Sequence, residues 1–167
     1  FLEDTFDTIC DHFPDYGYSP FMNEKFFDDW SHDLKWGIHQ ARCVVGHNLK
    51  VAWNLTRMHS LMPKESYKTF AHQIADAIPG AGCDNQRGGW YDMMERTLKV
   101  GEENYRRVWH DRKAWWQQEQ GILAYYIMAG VYDDKPEYLN YAREGSAFYN
   151  GWFLDYEEGG IYFNVLA

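Results

Sequence analysis

The stretch RGGWYD, residues 87–92, decides how this chain is organised, because it recurs as EGGIYF at residues 158–163. Gly88-Gly89 aligns with Gly159-Gly160, and Tyr91 aligns with Tyr162 at the same spacing. The preceding segments align at that spacing too: Tyr67 with Tyr138, and Ala71 with Ala142. Gly17-Tyr18 marks the same turn one unit earlier. A period long enough to hold two helices and a short strand indicates a repeat architecture.

Apolar spacing places two helices in each unit. It predicts helices at residues 2–13, about 38–61, from 64 to just before Pro79, roughly 102–131 and about 135–150. Short strands are expected after Gly88-Gly89 and at the end of the chain. Such helix pairs, with glycine turns and strands at one end, predict an all-α fold. The expected architecture is an α/α toroid of the (α/α)6-barrel type, in which inner helices line a central funnel and loops build its rim.

The chain has room for only part of such a toroid. Six pairs at this period need roughly 400 residues, whereas the sequence has 167. We therefore expect a single partial toroid domain over residues 1–167, with units at about 17–90 and 90–162. Both ends look cut, which predicts a fragment of a longer chain. The apolar helix faces that a cut toroid exposes favour association into a homo-oligomer.

The composition argues against several classes of protein. The formal net charge is −9 and no basic cluster exceeds Arg106-Arg107, so nucleic acid is not an expected partner. No apolar run approaches the ~20 residues that span a membrane. Three widely spaced cysteines argue against a disulfide framework and favour a cytoplasmic location. Cys43 and His47 have no second pair at ligand spacing, and no phosphate-binding glycine loop is present, so neither a metal nor a cofactor is expected.

Aromatic residues make up 19% of the chain, with 8 Trp and 13 Tyr. Flat rings of this density line many carbohydrate sites, and they equally fill ordinary cores. Three glycine loops mix aromatic and acidic residues, at 15–18, 87–92 and 156–160. These loops fit a sugar-binding rim or solvated turns.

The segment VVGHNLKVAWNLTRM, residues 44–58, is the candidate catalytic helix. His47, Lys50, Asn54 and Arg57 share one face of it, while apolar residues fill the remaining surface. Histidine is the side chain best suited to move protons near neutral pH. A histidine that simply satisfies its hydrogen bonds within the core is the alternative. On an inner helix, the polar row would face the funnel.

The segment KAWWQQEQGILAYY, residues 113–126, is the candidate aromatic wall. Trp115 and Trp116 point about 100° apart on a helix, so one ring can pack in the core while the other faces the funnel. Glu119 lies within one turn of both. The alternative is two core tryptophans beside a solvated glutamate.

Taken together, GHNLKVAWNLTRM, KAWWQQEQGILAYY, DKPEYLNYAREGSAFY and the Gly-Gly-aromatic turns resemble the N-acylglucosamine 2-epimerase family, which includes cellobiose 2-epimerases and mannose-type isomerases. The resemblance covers residues 26–163 and implies an (α/α)6 toroid that epimerises or isomerises free sugars at C2. It implies that His47 is an acid/base, which removes the proton α to the carbonyl to give an enediol-type intermediate. It also implies that Trp115 or Trp116 stacks on the sugar. The polar row on the helix and the spacing to the tryptophans add Asn54, Arg57 and Glu119 as further candidates for binding it.

Two departures from the family pattern stand out. Lys50 occupies the position of the glutamate that follows the family's histidine by three residues. A lysine there either stabilises the enediolate oxygen or impairs proton transfer, because an ammonium group disfavours imidazolium. The family's other catalytic histidines correspond to positions outside residues 1–167. His39, His59 and His72 do not match those motifs.

The leading expectation is therefore a sugar 2-epimerase or aldose–ketose isomerase, inactive as an isolated 167-residue piece because it lacks the opposing proton donor. The first alternative is a carbohydrate-binding or scaffold toroid that has lost this chemistry, with Lys50 as its trace. The second is a glycoside hydrolase with Glu119 and Asp92 as its carboxylate pair. The sequence leaves the choice among N-acylhexosamine, free hexose and cellobiose open.

Overall fold

Two helical hairpins stand side by side in the computed structural model, which describes residues 1–15, 17–33, 42–108 and 111–166. Within these ranges the helices are α1 (Leu2–His12), α2 (Val45–Leu61), α3 (Glu65–Gly82), α4 (Trp115–Val131) and α5 (Glu137–Trp152). The strands are β1 (Arg42–Val44), β2 (Met93–Glu95), β3 (Arg112–Ala114) and β4 (Asn164–Leu166). None of the described helices is long and apolar enough to cross a membrane.

The helices form two layers. α2 and α4 pack against each other as inner helices, α3 covers α2, and α5 covers α4. The apolar faces of these four helices form the main core, which includes Leu49, Leu55, Phe70, Ile74 and Tyr125. α1 packs on α3, where Lys64 bridges Asp7 and Glu3 at 2.7 and 2.8 Å.

A two-stranded antiparallel sheet lies at the start of each inner helix. The strand before the helix pairs with the strand that follows the next Gly-Gly loop along the chain, so β1 pairs with β2 and β3 with β4. The registers correspond, with Cys43 opposite Met94 and Lys113 opposite Val165. These sheets place the N-termini of α2 and α4 beside the glycine loops.

The two glycine loops have the same hydrogen bonds at equivalent positions of the repeat. In the first loop the Asp84 carboxylate accepts from two backbone N–H groups, those of Gln86 and Arg87. In the second loop Asp155 accepts from Glu157 and Glu158. The Tyr91 and Tyr162 hydroxyls complete the pattern on Asp84 and Asp155. The aspartate four residues before each glycine pair belongs to the motif, although alignment of the glycines and tyrosines alone does not find it.

An amide side chain anchors each inner helix to the chain segment before it. Asn48 Oδ1 accepts from the backbone N–H of Met22 at 3.0 Å, and Asn48 Nδ2 donates to Val44 O at 3.1 Å. Gln118 does the same in the second unit, accepting from Trp90 N at 2.7 Å and donating to Ala114 O at 3.2 Å. These contacts make residues 22 and 90 structural equivalents.

Two predicted helices begin later than expected. α2 begins at Val45 because Arg42–Val44 form a strand, and the predicted residues 38–41 lie outside the described ranges. α4 begins at Trp115 because β3 precedes it, and residues 102–108 are not helical. In both places strand pairing with a sequence-distant segment determines where the helix starts.

The prediction that a helix ends before Pro79 is wrong, because α3 continues through Pro79 to Gly82. Proline has no N–H to donate to the carbonyl four residues earlier, which belongs to Ala75. The Tyr125 hydroxyl, on α4, donates to that carbonyl at 2.9 Å. The neighbouring helix thus satisfies the acceptor that proline leaves unpaired.

Candidate functional site

His47 lies in the first turn of α2 between a carboxylate and an indole ring. Its Nδ1 is 2.7 Å from Oε2 of Glu24, which comes from the segment before β1. Its ring centroid is 5.4 Å from that of Trp116 on α4. The side chain of His47 is 45% exposed, so a ligand can reach it. The juxtaposition combines a group that transfers protons, a carboxylate that fixes it and a flat apolar surface.

Gly46 allows Trp116 to approach His47. A Cβ at position 46 would lie 2.7 Å from the Trp116 ring. The Gly46 N–H donates to Oε1 of Gln117, the next residue of α4, at 2.7 Å. The close contact of α2 with α4 at this glycine therefore positions Trp116.

Glu24 is the residue of this site that sequence reasoning missed. It lies far before His47 in the chain and follows no helical or strand period with it. The one signal that could have found Glu24 is the repeat, since the pairing of residues 22 and 90 makes Glu24 the equivalent of Asp92. The sequence alone does not give this alignment, because the spacing between equivalent residues is shorter here than between the two glycine loops. The hydrogen bonds of Asn48 and Gln118 establish it.

The rest of the polar row on α2 does not converge on His47. Lys50 is exposed, one turn away, and Asn54 Nδ2 donates back to Lys50 O at 2.8 Å. Arg57 lies ten residues after His47, about 15 Å along the helix axis. It lines a separate cavity of about 470 Å³ between the C-terminal parts of α2 and α4, together with Tyr126. Arg57 therefore lines a different part of the contact between α2 and α4 from His47.

The members of the predicted aromatic wall have different surroundings. Trp116 is the tryptophan that contacts His47. Trp115 is also half-buried, and its backbone N–H donates to Phe163 O at 3.2 Å in the second unit. Glu119 accepts from the Tyr149 hydroxyl of α5 at 2.9 Å, so its carboxylate is engaged by an outer helix.

Asp92 and Glu119, the pair considered for glycoside hydrolysis, are both engaged in structural contacts. Asp92 is 3% exposed, accepts from Ala114 N at 2.6 Å and forms an ion pair with Arg112. Burial raises the pKa of Asp92 in spite of that ion pair. Asp92 anchors the start of α4 beside β3 and has no exposed edge for a substrate.

The other histidines lie elsewhere in the fold. His59, near the C-terminus of α2, is 2.9 Å from Lys64 O. His72, on α3, is 2.9 Å from the Tyr138 hydroxyl, which donates to Asp76 at 2.7 Å. His39 is outside the described residues.

The cysteines and acidic groups give no support to thiol or metal chemistry. Burial raises the pKa of Cys10 to about 11 and that of Cys83 to about 12, and the pKa of the fully buried Cys43 thiol shifts in the same direction. These groups are therefore neutral thiols near pH 7. Over the described ranges, no three metal-ligating side chains come together. Cys43 lies on β1, so it does not share a helix face with His47.

No family model matches the chain, and no curated protein matches its sequence. Its fold is similar to that of a cellobiose 2-epimerase from Bacillus thermoamylovorans, with a TM-score of 0.78 and 17% identity over 99% of this chain and 39% of that one. A D-mannose isomerase gives a TM-score of 0.64 and 20% identity over 87% of this chain and 34% of that one. A glycoside hydrolase family 76 mannosidase from Bacteroides thetaiotaomicron gives 0.63 and 16%, over 99% and 42%.

These likenesses confirm the fold prediction. The chain is part of an α/α toroid and spans about 39% of the length of the cellobiose 2-epimerase that it matches. Both an epimerase and a glycosidase share the architecture, so the fold alone does not select a reaction.

Proposed function

We propose that this chain carries one acid/base histidine of a sugar 2-epimerase or aldose–ketose isomerase, with His47 as the proton-transferring group. The observation that carries the proposal is the juxtaposition of His47 with Glu24 and Trp116. The fold likeness to a cellobiose 2-epimerase and a D-mannose isomerase supports a free sugar as the substrate class.

In the proposed reaction the sugar is in its open-chain form and lies against Trp116. His47 Nε2 takes the proton from C2, the electron pair of that C–H bond forms the C1–C2 double bond, and the π pair of the C1 carbonyl moves to O1 to give an enediolate. Return of a proton to the opposite face of C2 restores the C1 carbonyl and gives the epimer. Transfer of a proton from O2 to O1, followed by protonation of C1, gives the ketose. General acid–base catalysis of this kind contributes about 10² to 10⁴-fold in rate.

Lys50 has a place in this scheme as a fixed positive charge. Its side chain is exposed on the same helix face, one turn after His47. An ammonium group there stabilises negative charge that develops on the enediolate oxygen. This assignment is part of the proposal, and Lys50→Met should lower kcat more than it raises KM.

A carbohydrate-binding toroid without catalysis is the main alternative, and proton exchange separates the two. The protein made from the complete reading frame should catalyse the incorporation of solvent deuterium at C2 of mannose, N-acetylmannosamine or cellobiose. This exchange is measured by ¹H NMR in D₂O. Calorimetry on the same samples measures binding. Sugar binding without exchange at C2 would contradict the proposal and favour the binding toroid.

A further inference from the structure

Glu24, whose carboxylate contacts His47, occupies a position that has a purely structural role in the second unit. By the equivalence of residues 22 and 90, Glu24 corresponds to Asp92, and His47 corresponds to Gln117, the residue just before Gln118. Asp92 and Gln117 also lie within hydrogen-bonding reach of each other. There the carboxylate anchors the chain by accepting from Ala114 N. In the first unit, the equivalent carboxylate instead contacts an imidazole.

The Glu24 side chain is partly buried beside a buried cation. Its side chain is 24% exposed, and its second oxygen, Oε1, is buried and has no hydrogen-bond partner in the described part of the chain. Arg96 lies close enough to interact electrostatically with Glu24, and it is 4% exposed. The Arg96 guanidinium is paired with Asp15, and its Nε and Nη1 are buried without described partners. Arg96 therefore places a buried positive charge beside the Glu24 carboxylate, whose other oxygen, Oε2, contacts His47.

A carboxylate oxygen at Nδ1 determines which nitrogen of His47 acts. Nδ1 carries the proton and donates a hydrogen bond to Glu24. Nε2 is therefore unprotonated and can accept a proton. We propose that Glu24 is the positioning residue of this site, holding His47 in the Nδ1–H tautomer and stabilising the imidazolium that forms when Nε2 takes a proton. Glu24 thereby supplies, from a sequence-distant segment, the carboxylate that Lys50 does not provide. The kinetic consequence rests on the proposed function, whereas the tautomer does not.

The tautomer is measured by long-range ¹H–¹⁵N correlation on ¹⁵N-histidine-labelled chain, with His47→Asn used to assign the resonance. The wild type should show mainly the Nδ1–H tautomer of the neutral ring. Glu24→Met, which keeps the side-chain volume but removes the acceptor, should shift the ring to the Nε2–H tautomer that predominates in water. Glu24→Ala repeats the measurement if the methionine variant does not fold. Glu102→Gln is the matched control, because it neutralises a carboxylate that is ion-paired with Arg106 on another loop. It should leave the tautomer of His47 unchanged.

Rescue tests the positioning role further. Position 50 lies one helical turn from His47, so Lys50→Glu in the Glu24→Met background should restore part of the Nδ1–H population. An unchanged tautomer in folded Glu24→Met or Glu24→Ala would overturn the inference.

The kinetic test uses the protein from the complete reading frame. Glu24→Met should lower kcat for C2 exchange by about tenfold or more with little change in KM, as expected when a base loses the group that orients it. A tautomer shift without C2 exchange in any variant would keep the positioning role and reject the proposed function. Exchange that depends on His47 but not on Glu24, with an unchanged tautomer, would keep the proposed function and reject the positioning role.

Discussion

At the scale of single residues, the site depends on contacts that no local pattern encodes. His47 and Trp116 could be selected from the sequence because each is an unusual residue within a helical pattern. Glu24 could not, because its relation to His47 arises only when the segment before β1 folds against the start of α2. The same limit applies to Glu119, whose Tyr149 partner lies on α5, the next helix along the chain.

Trp116, and not Trp115, should determine sugar affinity. Trp116→Ala removes the ring beside His47 and should weaken binding about tenfold, the scale of one aromatic contact. Trp115→Ala should have the smaller effect, because the indole ring that contacts His47 is that of Trp116. Calorimetric titration with the sugar that shows C2 exchange compares the two variants. A larger loss in Trp115→Ala would contradict the assignment of Trp116.

His72 should make stability depend on pH. Burial lowers the pKa of His72, because desolvation disfavours the imidazolium. Its Nδ1 donates to Tyr138, whose own proton goes to Asp76, so protonation must occur at Nε2, which is buried without a partner in the described structure. The unfolded chain therefore binds this proton more readily, and the free energy of unfolding should fall as the pH drops below about 6.5.

The measurement for His72 is urea unfolding at pH 7.5 and 5.5. His72→Asn keeps a donor toward Tyr138 but cannot take up a proton, so its loss of stability between the two pH values should be smaller than that of the wild type. His59→Asn is the matched control and should retain the wild-type dependence. An equal loss in His72→Asn and the wild type would argue against this origin.

At the scale of secondary-structure elements, periodicity gave the existence of the helices but not all of their ends. α1 and α5 lie within two residues of their predicted bounds. The predicted starts of α2 and α4 were wrong because three-residue strands precede these helices. Such short strands have too few residues to show an alternating pattern in the sequence. The end of α3 was wrong because a tertiary hydrogen bond from Tyr125 offsets the local cost of Pro79.

Tyr125→Phe tests that account of α3. Loss of the hydroxyl leaves the Ala75 carbonyl buried and unpaired, which should cost about 1–3 kcal/mol of the free energy of unfolding. In a Pro79→Ala background the new N–H can bond to Ala75, so Tyr125→Phe should cost less there. Chemical denaturation of the four proteins gives the coupling between the two positions. Additive costs would contradict the proposed pairing.

At the scale of the whole molecule, the repeat is the feature that the sequence encodes most clearly. The glycine loops recur with the same hydrogen bonds, and each unit pairs one inner with one outer helix. We propose that residues 17–90 and 90–162 are the repeat units of the toroid. Their inner-helix anchors, Asn48 and Gln118, were not predicted because single polar residues on an apolar helix suggest function as readily as structure.

Gly89 and Gly160 offer a matched test of how the two units differ. They occupy equivalent positions with φ of +79° and +90°, where any Cβ is strained. A Cβ at Gly89 would lie 2.3 Å from the Phe148 ring, whereas none of the described atoms lies within 4 Å at Gly160. Gly89→Ala should therefore cost about 3 kcal/mol or more and Gly160→Ala about 1–2 kcal/mol, measured by urea unfolding. Equal costs would contradict the packing of Phe148 on the first loop.

In the proposed function, His47 moves the proton at C2 of a free sugar. Its most direct test compares solvent deuterium incorporation at C2 by the wild type and His47→Ala, both made from the complete reading frame. We expect exchange by the wild type and a reduction of about 10²-fold or more in His47→Ala. A wild type that shows no exchange, or a His47→Ala rate within about fivefold of the wild type, would contradict it.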